Sequence, residues 1–316
     1  MPVVPEKTSS SQPWWQPYWE ISRMNHWPRG PAVIFWPCVW SLLFSRYGHA
    51  IQPGTLSRYM AAFMGGGTIS HCAICTLNDI CDVDFDRQVG AWPTHSRSHL
   101  PDRQIERCKT LPSGRISVSA ASVFLVVQTA AFCAVLLTIN REAWVTSCMP
   151  LHGFYPLMKR VTHWPQAWLG LSMAWGASTT WLMVRPHDYD SKAVWALTAG
   201  IAFWTVVMDT MYACQDRRDD IKVGIGSTAV LFGSWITPIL SVFAALFVAT
   251  LIYAGQETNQ GQVYYTIAVG GTAGHLAWQL STFNADDNDN CQTRFDSNGQ
   301  IGYIVTAGLL GQMYIS

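Results

Sequence analysis

The chain has 316 residues, of which 49% are hydrophobic and only 13% are charged. Soluble domains carry about 25% charged residues, so roughly half of the usual charge is missing here. The formal net charge is zero, which excludes a generally basic surface for nucleic acid. A mean hydropathy of +0.13 and 16 tryptophans, a residue that favours the membrane–water boundary, indicate an integral membrane protein.

Apolar stretches occupy most of the chain, and a membrane-spanning helix needs about 20 such residues. The candidates are residues 31–48, 57–77, 117–139, 144–158, 165–184, 193–213, 228–253, 263–282 and 300–315. We therefore expect an all-α integral membrane protein with about nine transmembrane helices. Residues 1–30 are predicted as an N-terminal cytosolic segment, residues 31–316 as one transmembrane domain, and residues 84–116 and 214–227 as cap loops.

Basic residues collect in the loops that would share one face if the helices alternate. Lys159 and Arg160 follow the fourth stretch, and Arg217, Arg218 and Lys222 follow the sixth. The positive-inside rule predicts that this face is cytosolic. Residues 1–30 show neither a secretory signal nor an Arg-rich presequence, so the endoplasmic reticulum or another endomembrane is expected.

A first acidic cluster ends the second apolar stretch. Asp79, Asp82 and Asp86 stand at positions i, i+3 and i+7, which lie on one face of a helix, and Asn78 adds a neutral oxygen. Carboxylates this close repel one another and are costly near hydrocarbon, so the cluster favours a bound cation. Ligands that are all oxygen suit Mg²⁺, whose coordination is completed by water and substrate phosphates.

A second acidic cluster ends the sixth stretch. Its members fall at offsets 0, 3, 7, 10 and 11 and are predicted to form one helical stripe: Asp209, Tyr212, Asp216, Asp219 and Asp220. Any one of these aspartates could be a solvated or capping residue, and Tyr212 could be an interfacial aromatic. Two stripes that each end an apolar span, with bases nearby, instead predict a clamp for a diphosphate.

The two clusters resemble the two acidic motifs of the UbiA family of intramembrane prenyltransferases. Further similarity lies in the segments 23–30 and 35–38 and in Cys291, Phe295, Asn298 and Gly302. The resemblance implies helices around a central cavity that opens sideways to lipid, a polar cap, Mg²⁺, a prenyl diphosphate donor and an aromatic acceptor.

Site residues follow from the two stripes together with this resemblance. Metal ligands would be Asp79, Asp82, Asp86, Asp216, Asp219 and Asp220. The diphosphate would contact Asn78, Arg107, Lys109, Gln215 and Lys222. Asp209 would lie nearest the acceptor, and Tyr212 would face the diphosphate or a carbocation.

The segment 23–30 looks most like fungal members of the family, which suggests transfer of a farnesyl or geranyl group to a phenolic, polyketide-derived acceptor in meroterpenoid synthesis. One departure is the stretch 90–105, which the family pattern lacks. It is either a genuine cap insertion or a gene-model error, and it lies where a diphosphate lid is expected.

Other functions remain open on sequence alone. A 4-hydroxybenzoate polyprenyltransferase of ubiquinone synthesis, or a terpene cyclase of the same family, would use the same motifs. A cation transporter could also line its path with aspartates, although its sites are expected near the membrane midplane.

Overall fold

The computed structural model describes residues 13–46, 51–90, 110–138, 141, 151–188 and 191–315. Every regular element in these ranges is a helix, so the predicted all-α class is confirmed. The helices are α1 (Gln16–Ile21), α2 (Arg29–Ser45), α3 (Pro53–Gly90), α4 (Val118–Leu137), α5 (Leu151–Val161), α6 (Pro165–Val184), α7 (Lys192–Ala213), α8 (Arg217–Val223), α9 (Thr228–Phe232), α10 (Ile236–Glu257), α11 (Gln262–Tyr264), α12 (Gly271–Ser281) and α13 (Asn288–Ile315). A π-helical segment, Tyr265–Gly270, joins α11 to α12.

Four segments are long and apolar enough to cross a membrane, within the ranges that the structure describes. They are Pro53–Asp84, Val118–Leu137, Lys192–Ala213 and Thr228–Glu257. Helix α2 has only 17 residues, and α13 begins with a polar run. The count of about nine spans therefore stays a prediction, although each predicted stretch overlaps an observed helix.

Both predicted cap loops are partly helical. Helix α3 continues through Asp84 to Gly90, because no glycine or proline interrupts the chain between Gly67 and Gly90. The 214–227 segment contains α8, which is followed by Gly224 with a left-handed φ of 72° that glycine adopts without strain.

Helix α13 starts at Asn288, twelve residues before the apolar stretch that predicted it. Hydropathy alone misses this first half because its residues are mostly polar. The Asp287 carboxylate accepts hydrogen bonds from the backbone N–H groups of Asp289 and Asn290, at 3.0 and 3.2 Å, and so caps the helix.

Helix α7 lies at the centre of the bundle and packs against α6 and α10. Small residues allow the helices to approach closely: a Cβ at Gly170 would lie 2.8 Å from the Ala202 carbonyl oxygen. The Trp204 ring stacks on Phe247, and its Nε1 donates to Asn298 Oδ1 of α13 at 3.0 Å. These contacts bring the polar half of α13 beside the end of α7.

The bundle has two chemically different ends. At one end, Arg185 Nε donates to the Ser45 carbonyl at 2.6 Å, and the Tyr314 hydroxyl donates to the carbonyl of Ile51. At the other end, α3 and α7 finish and α13 begins. Because both predicted acidic motifs lie there, we call it the acidic end.

Candidate active site

The first acidic motif lies towards the end of α3, and its residues Asp79 and Asp82 are buried. The Asp79 side chain is paired with Arg23 through two hydrogen bonds, Nη1 to Oδ2 at 2.9 Å and Nη2 to Oδ1 at 2.7 Å. Arg23 follows α1 and has a left-handed φ of 59°. The N-terminal segment is thereby attached to the motif by a bidentate ion pair.

Asp82 is only 5% exposed and is paired on one side only. Its Oδ2 contacts the Lys159 ammonium at the end of α5. Its Oδ1 is buried and accepts no hydrogen bond from any residue in the described ranges. A buried carboxylate oxygen without a partner carries a large desolvation cost, so this atom is suited to a further cationic ligand.

Lys159 also connects the first motif to the second. Its positive charge acts on Asp220 of α8 as well as on Asp82. The Gly226 backbone N–H, just after α8, donates to the Lys159 carbonyl at 3.0 Å. The two acidic motifs therefore lie at the same end of the bundle, with Lys159 between them.

The second motif is not one helical stripe, as its spacing predicted. Helix α7 ends at Ala213, and α8 starts at Arg217 after a turn. Asp209 and Tyr212 lie on α7, Gln215 and Asp216 lie in or beside the turn, and Asp219 and Asp220 lie on α8. The prediction failed because periodicity alone cannot reveal a turn that separates two helices.

The pKa of Asp220 is raised to about 7, mainly by burial and also by the nearby charges of Asp216 and Asp219. A hydrogen bond with Ser227 and the charge of Lys159 act in the opposite direction. A cation placed among the crowded carboxylates of α8 would lower their free energy, as it would that of Asp82.

The polar half of α13 forms another wall of the acidic end. The Phe295 ring lies 4.9 Å from the Tyr212 ring, and Gln215 Nε2 donates to Gln292 Oε1 at 3.4 Å. Arg217 pairs with Asp286 at 2.7 Å, just before α13. The predicted residues Tyr212 and Gln215 therefore face α13.

The other predicted site residues lie on α3, on α8 or outside the described ranges. Asn78 is half-buried beside Asp79, and Asp86 lies further along α3. Lys222 pairs with Asp219 on the same helix at 3.0 Å and is largely exposed. Arg107 and Lys109 lie outside the described residues.

Sequence reasoning did not assign Arg23 or Lys159 to the site. Both were visible: Arg23 opens the segment 23–30, and Lys159 belongs to the basic pair that ends a predicted span. Only the structure shows that each cation contacts an aspartate of the first motif.

The donors at the acidic end fit Mg²⁺ in the way that diphosphate-binding sites use it. They are carboxylate oxygens, one of them buried and unpaired. Within the described ranges, no three Asp, Glu, His or Cys side chains converge closely enough to hold an ion by themselves. Mg²⁺ is commonly held by one or two carboxylates together with water and phosphate oxygens, so the arrangement suits an ion that arrives with a phosphorylated substrate.

Comparison with known proteins agrees with this chemistry. The model of the UbiA prenyltransferase family matches residues 34–303. The UbiA prenyltransferase claS of Ampulloclitocybe clavipes is 37% identical over 98% of this chain and 93% of its own length. The mitochondrial 4-hydroxybenzoate polyprenyltransferase of Schizosaccharomyces pombe is 36% identical over 93% of this chain and 79% of its own length.

Solved structures share the fold. A UbiA homologue from Aeropyrum pernix superposes with a TM-score of 0.70 at 20% identity, covering 89% of this chain and 98% of that one. A UbiA homologue from Archaeoglobus fulgidus bound to DMAPP and Mg²⁺ gives a TM-score of 0.63 at 15% identity, covering 95% and 99%. The helical bundle with its acidic end is thus that of an intramembrane prenyltransferase, and the chain belongs to the UbiA prenyltransferase family.

Proposed function

We propose that this enzyme transfers a farnesyl or geranyl group from its diphosphate to a phenolic acceptor in a reaction that depends on Mg²⁺. The observation that carries the proposal is the position of Lys159, which contacts Asp82 and acts on Asp220. A diphosphate bound at this end would have carboxylates of both motifs within reach through metal ions. The Archaeoglobus relative that binds DMAPP with Mg²⁺ supports the same class of donor.

The proposed roles follow from charge and position. Asp79, Asp82 and Asp86 would hold Mg²⁺ from one side, and Asp216, Asp219 and Asp220 from the other. Arg23 and Lys159 would turn from these carboxylates to phosphate oxygens, together with Lys222, Arg107 and Lys109. Asn78 and Gln215 would add neutral contacts to the diphosphate.

Bound Mg²⁺ would supply Lewis-acid stabilisation of the diphosphate leaving group. Fixed cations at the acidic end stabilise negative charge that grows as the allylic C–O bond breaks. The carbocation is then attacked by the electron-rich ring of the phenol, and loss of a ring proton restores aromaticity. Asp209 is proposed to accept that proton, while the rings of Tyr212 and Phe295 exclude water.

The acceptor is proposed to be phenolic and polyketide-derived, as in meroterpenoid synthesis, with the acidic end facing the cytosol of an endomembrane. The similarity to 4-hydroxybenzoate polyprenyltransferases favours a second candidate, prenylation of 4-hydroxybenzoate in ubiquinone synthesis. Both candidates use the same chemistry and differ in the phenol.

The direct test uses membranes that contain the full chain, Mg²⁺, geranyl or farnesyl diphosphate, and a panel of phenolic acids that includes 4-hydroxybenzoate. We expect a prenylated phenol. A cyclised terpene that forms whether or not a phenol is present would instead assign a cyclase.

Asp79→Asn and Asp216→Asn should each reduce transfer by roughly 100-fold or more, because each removes a carboxylate proposed to hold Mg²⁺ against the departing diphosphate. Asp188→Asn is the matched control, since Asp188 accepts a hydrogen bond from Trp181 near the opposite end of α6. Retained turnover in both Asp79→Asn and Asp216→Asn would refute the proposed metal role.

A further inference from the structure

A cavity lies outside the acidic end, between α1, α3 and α4. Its volume is about 380 Å³, which is large enough for a substituted aromatic ring. The wall is mainly aromatic and apolar, with contributions from Trp15, Tyr18, Trp19, Cys72, Phe124 and Gln128. The Tyr18 and Phe124 rings meet edge to face at 5.1 Å and join α1 to α4 across it.

Gln128 is the polar group of this wall that lacks a partner. It lies on α4, whose neighbouring residues Val126 and Thr129 face outward, but its own side chain is 8% exposed. Its Oε1 atom is buried and accepts no hydrogen bond from any part of the chain that the structure describes. An amide at membrane depth is costly without a partner, so this oxygen is suited to a ligand that brings a donor.

The cavity adjoins the first acidic motif. Ser22 lies in its wall, and the next residue, Arg23, pairs with Asp79. Cys72, also in the wall, precedes Asp79 by seven residues on α3, a helical rise of roughly 10 Å. The cavity wall therefore lies roughly 10 Å along α3 from Asp79 of the proposed reaction site.

We propose that this cavity is a binding site for the phenolic acceptor, which it holds before transfer. The aromatic ring packs among Trp15, Trp19 and Phe124, and the hydroxyl donates a hydrogen bond to Gln128 Oε1. A prenyl chain fits less well, because hydrocarbon would leave the Gln128 oxygen unpaired. This inference rests on the proposed function, since it takes a phenol to be the second substrate.

The kinetic test compares Gln128→Leu with Thr129→Leu, which makes a similar polar-to-apolar change on the outer face of the same helix. In membranes with Mg²⁺, geranyl diphosphate and 4-hydroxybenzoate, Gln128→Leu should raise the KM of the phenol roughly fivefold, the value of one neutral hydrogen bond. The KM of geranyl diphosphate should not change, and Thr129→Leu should behave as the parent chain. A raised KM for the diphosphate with an unchanged KM for the phenol would overturn the proposal and assign the cavity to the prenyl chain.

Photolabelling provides a readout that does not depend on turnover. The phenolic aryl azide 4-azidosalicylate should label peptides from α1 or α4 in the parent chain and in Thr129→Leu, and labelling should fall at least severalfold in Gln128→Leu. Labelling of the cavity without any prenyl transfer would support this site while refuting the proposed function. Prenyl transfer with labelling confined to other helices would overturn the site and leave the proposed function standing.

Discussion

Lys159 is a cation whose charge acts on an aspartate of each acidic motif. Its ammonium contacts a buried aspartate of the first motif and lowers the energy of a charged aspartate in the second. Removal of one partner from a buried ion pair is more costly than replacement of the whole pair, because the other charge stays buried. The role of Lys159 is therefore testable separately from that of the aspartates.

Lys159→Met should lower the free energy of unfolding by about 2–3 kcal/mol. The loss is smaller than for a fully buried ion pair because the lysine is partly exposed. The substitution should also lower kcat/KM for prenyl transfer roughly 10- to 100-fold, the value of a charge-assisted contact to phosphate. Melting in detergent and turnover in membranes measure the two effects. Lys192→Met, a change at the exposed start of α7, is the control. Equal stability and equal turnover of the two variants would contradict the position assigned to Lys159.

Among individual residues, the aspartates of the site were predictable from the sequence, and the basic residues that pair with them were not. Asp79, Asp82, Asp216 and Asp220 stand out in the sequence because four carboxylates at helix spacing beside apolar spans are rare. Arg23 and Lys159 lie 56 and 77 residues from the aspartates they contact. Such distant pairings depend on how the helices pack, which no local pattern encodes.

Among the elements, the short helix α8 positions the second motif. It is followed by Gly224, and then by Gly226, which docks against the end of α5. A Cβ at Gly226 would lie 2.3 Å from the Thr162 carbonyl oxygen, a backbone atom that cannot easily move. The hydrogen bond from Gly226 to Lys159 requires this close approach.

Gly226→Ala should therefore displace α8 from α5 and reduce prenyl transfer roughly tenfold or more, while the protein still inserts into membranes. Gly65→Ala is the control, because a Cβ there meets no atom within 4 Å and alanine favours the helix. Turnover normalised to the amount of inserted protein is the measurement. Full activity of Gly226→Ala would show that α8 does not need this contact.

Helix boundaries were predicted well where an apolar stretch ends at helix-breaking or loop residues, as for α4, α6 and α7. They were predicted poorly where polar residues are helical, as in the last residues of α3 and the first half of α13. In both places the helix extends beyond the apolar stretch into the acidic end. Hydropathy predicts where a chain meets lipid, and it therefore does not detect these polar helical turns.

For the whole molecule, the uneven charge of the two ends predicts an orientation in the membrane. Lys159, Arg160, Arg217, Arg218 and Lys222 all belong to the acidic end. In microsomes with the cytosolic face outward, Asp289→Cys should react with an impermeant maleimide above the level of the parent chain without detergent. Gln262→Cys, at the opposite end, should react only after detergent is added, and the reverse pattern would invert the predicted topology.

We propose that aspartates from both motifs share the metal ions of one bound diphosphate. Electron paramagnetic resonance of Mn²⁺, with the non-ionising analogue geranyl S-thiolodiphosphate, measures this binding without turnover. We expect the analogue to strengthen Mn²⁺ binding in the parent chain, and we expect Asp82→Asn and Asp220→Asn each to weaken that binding by roughly tenfold or more. If Mn²⁺ affinity in the presence of the analogue depends on only one of these two aspartates, the two motifs do not form a shared site.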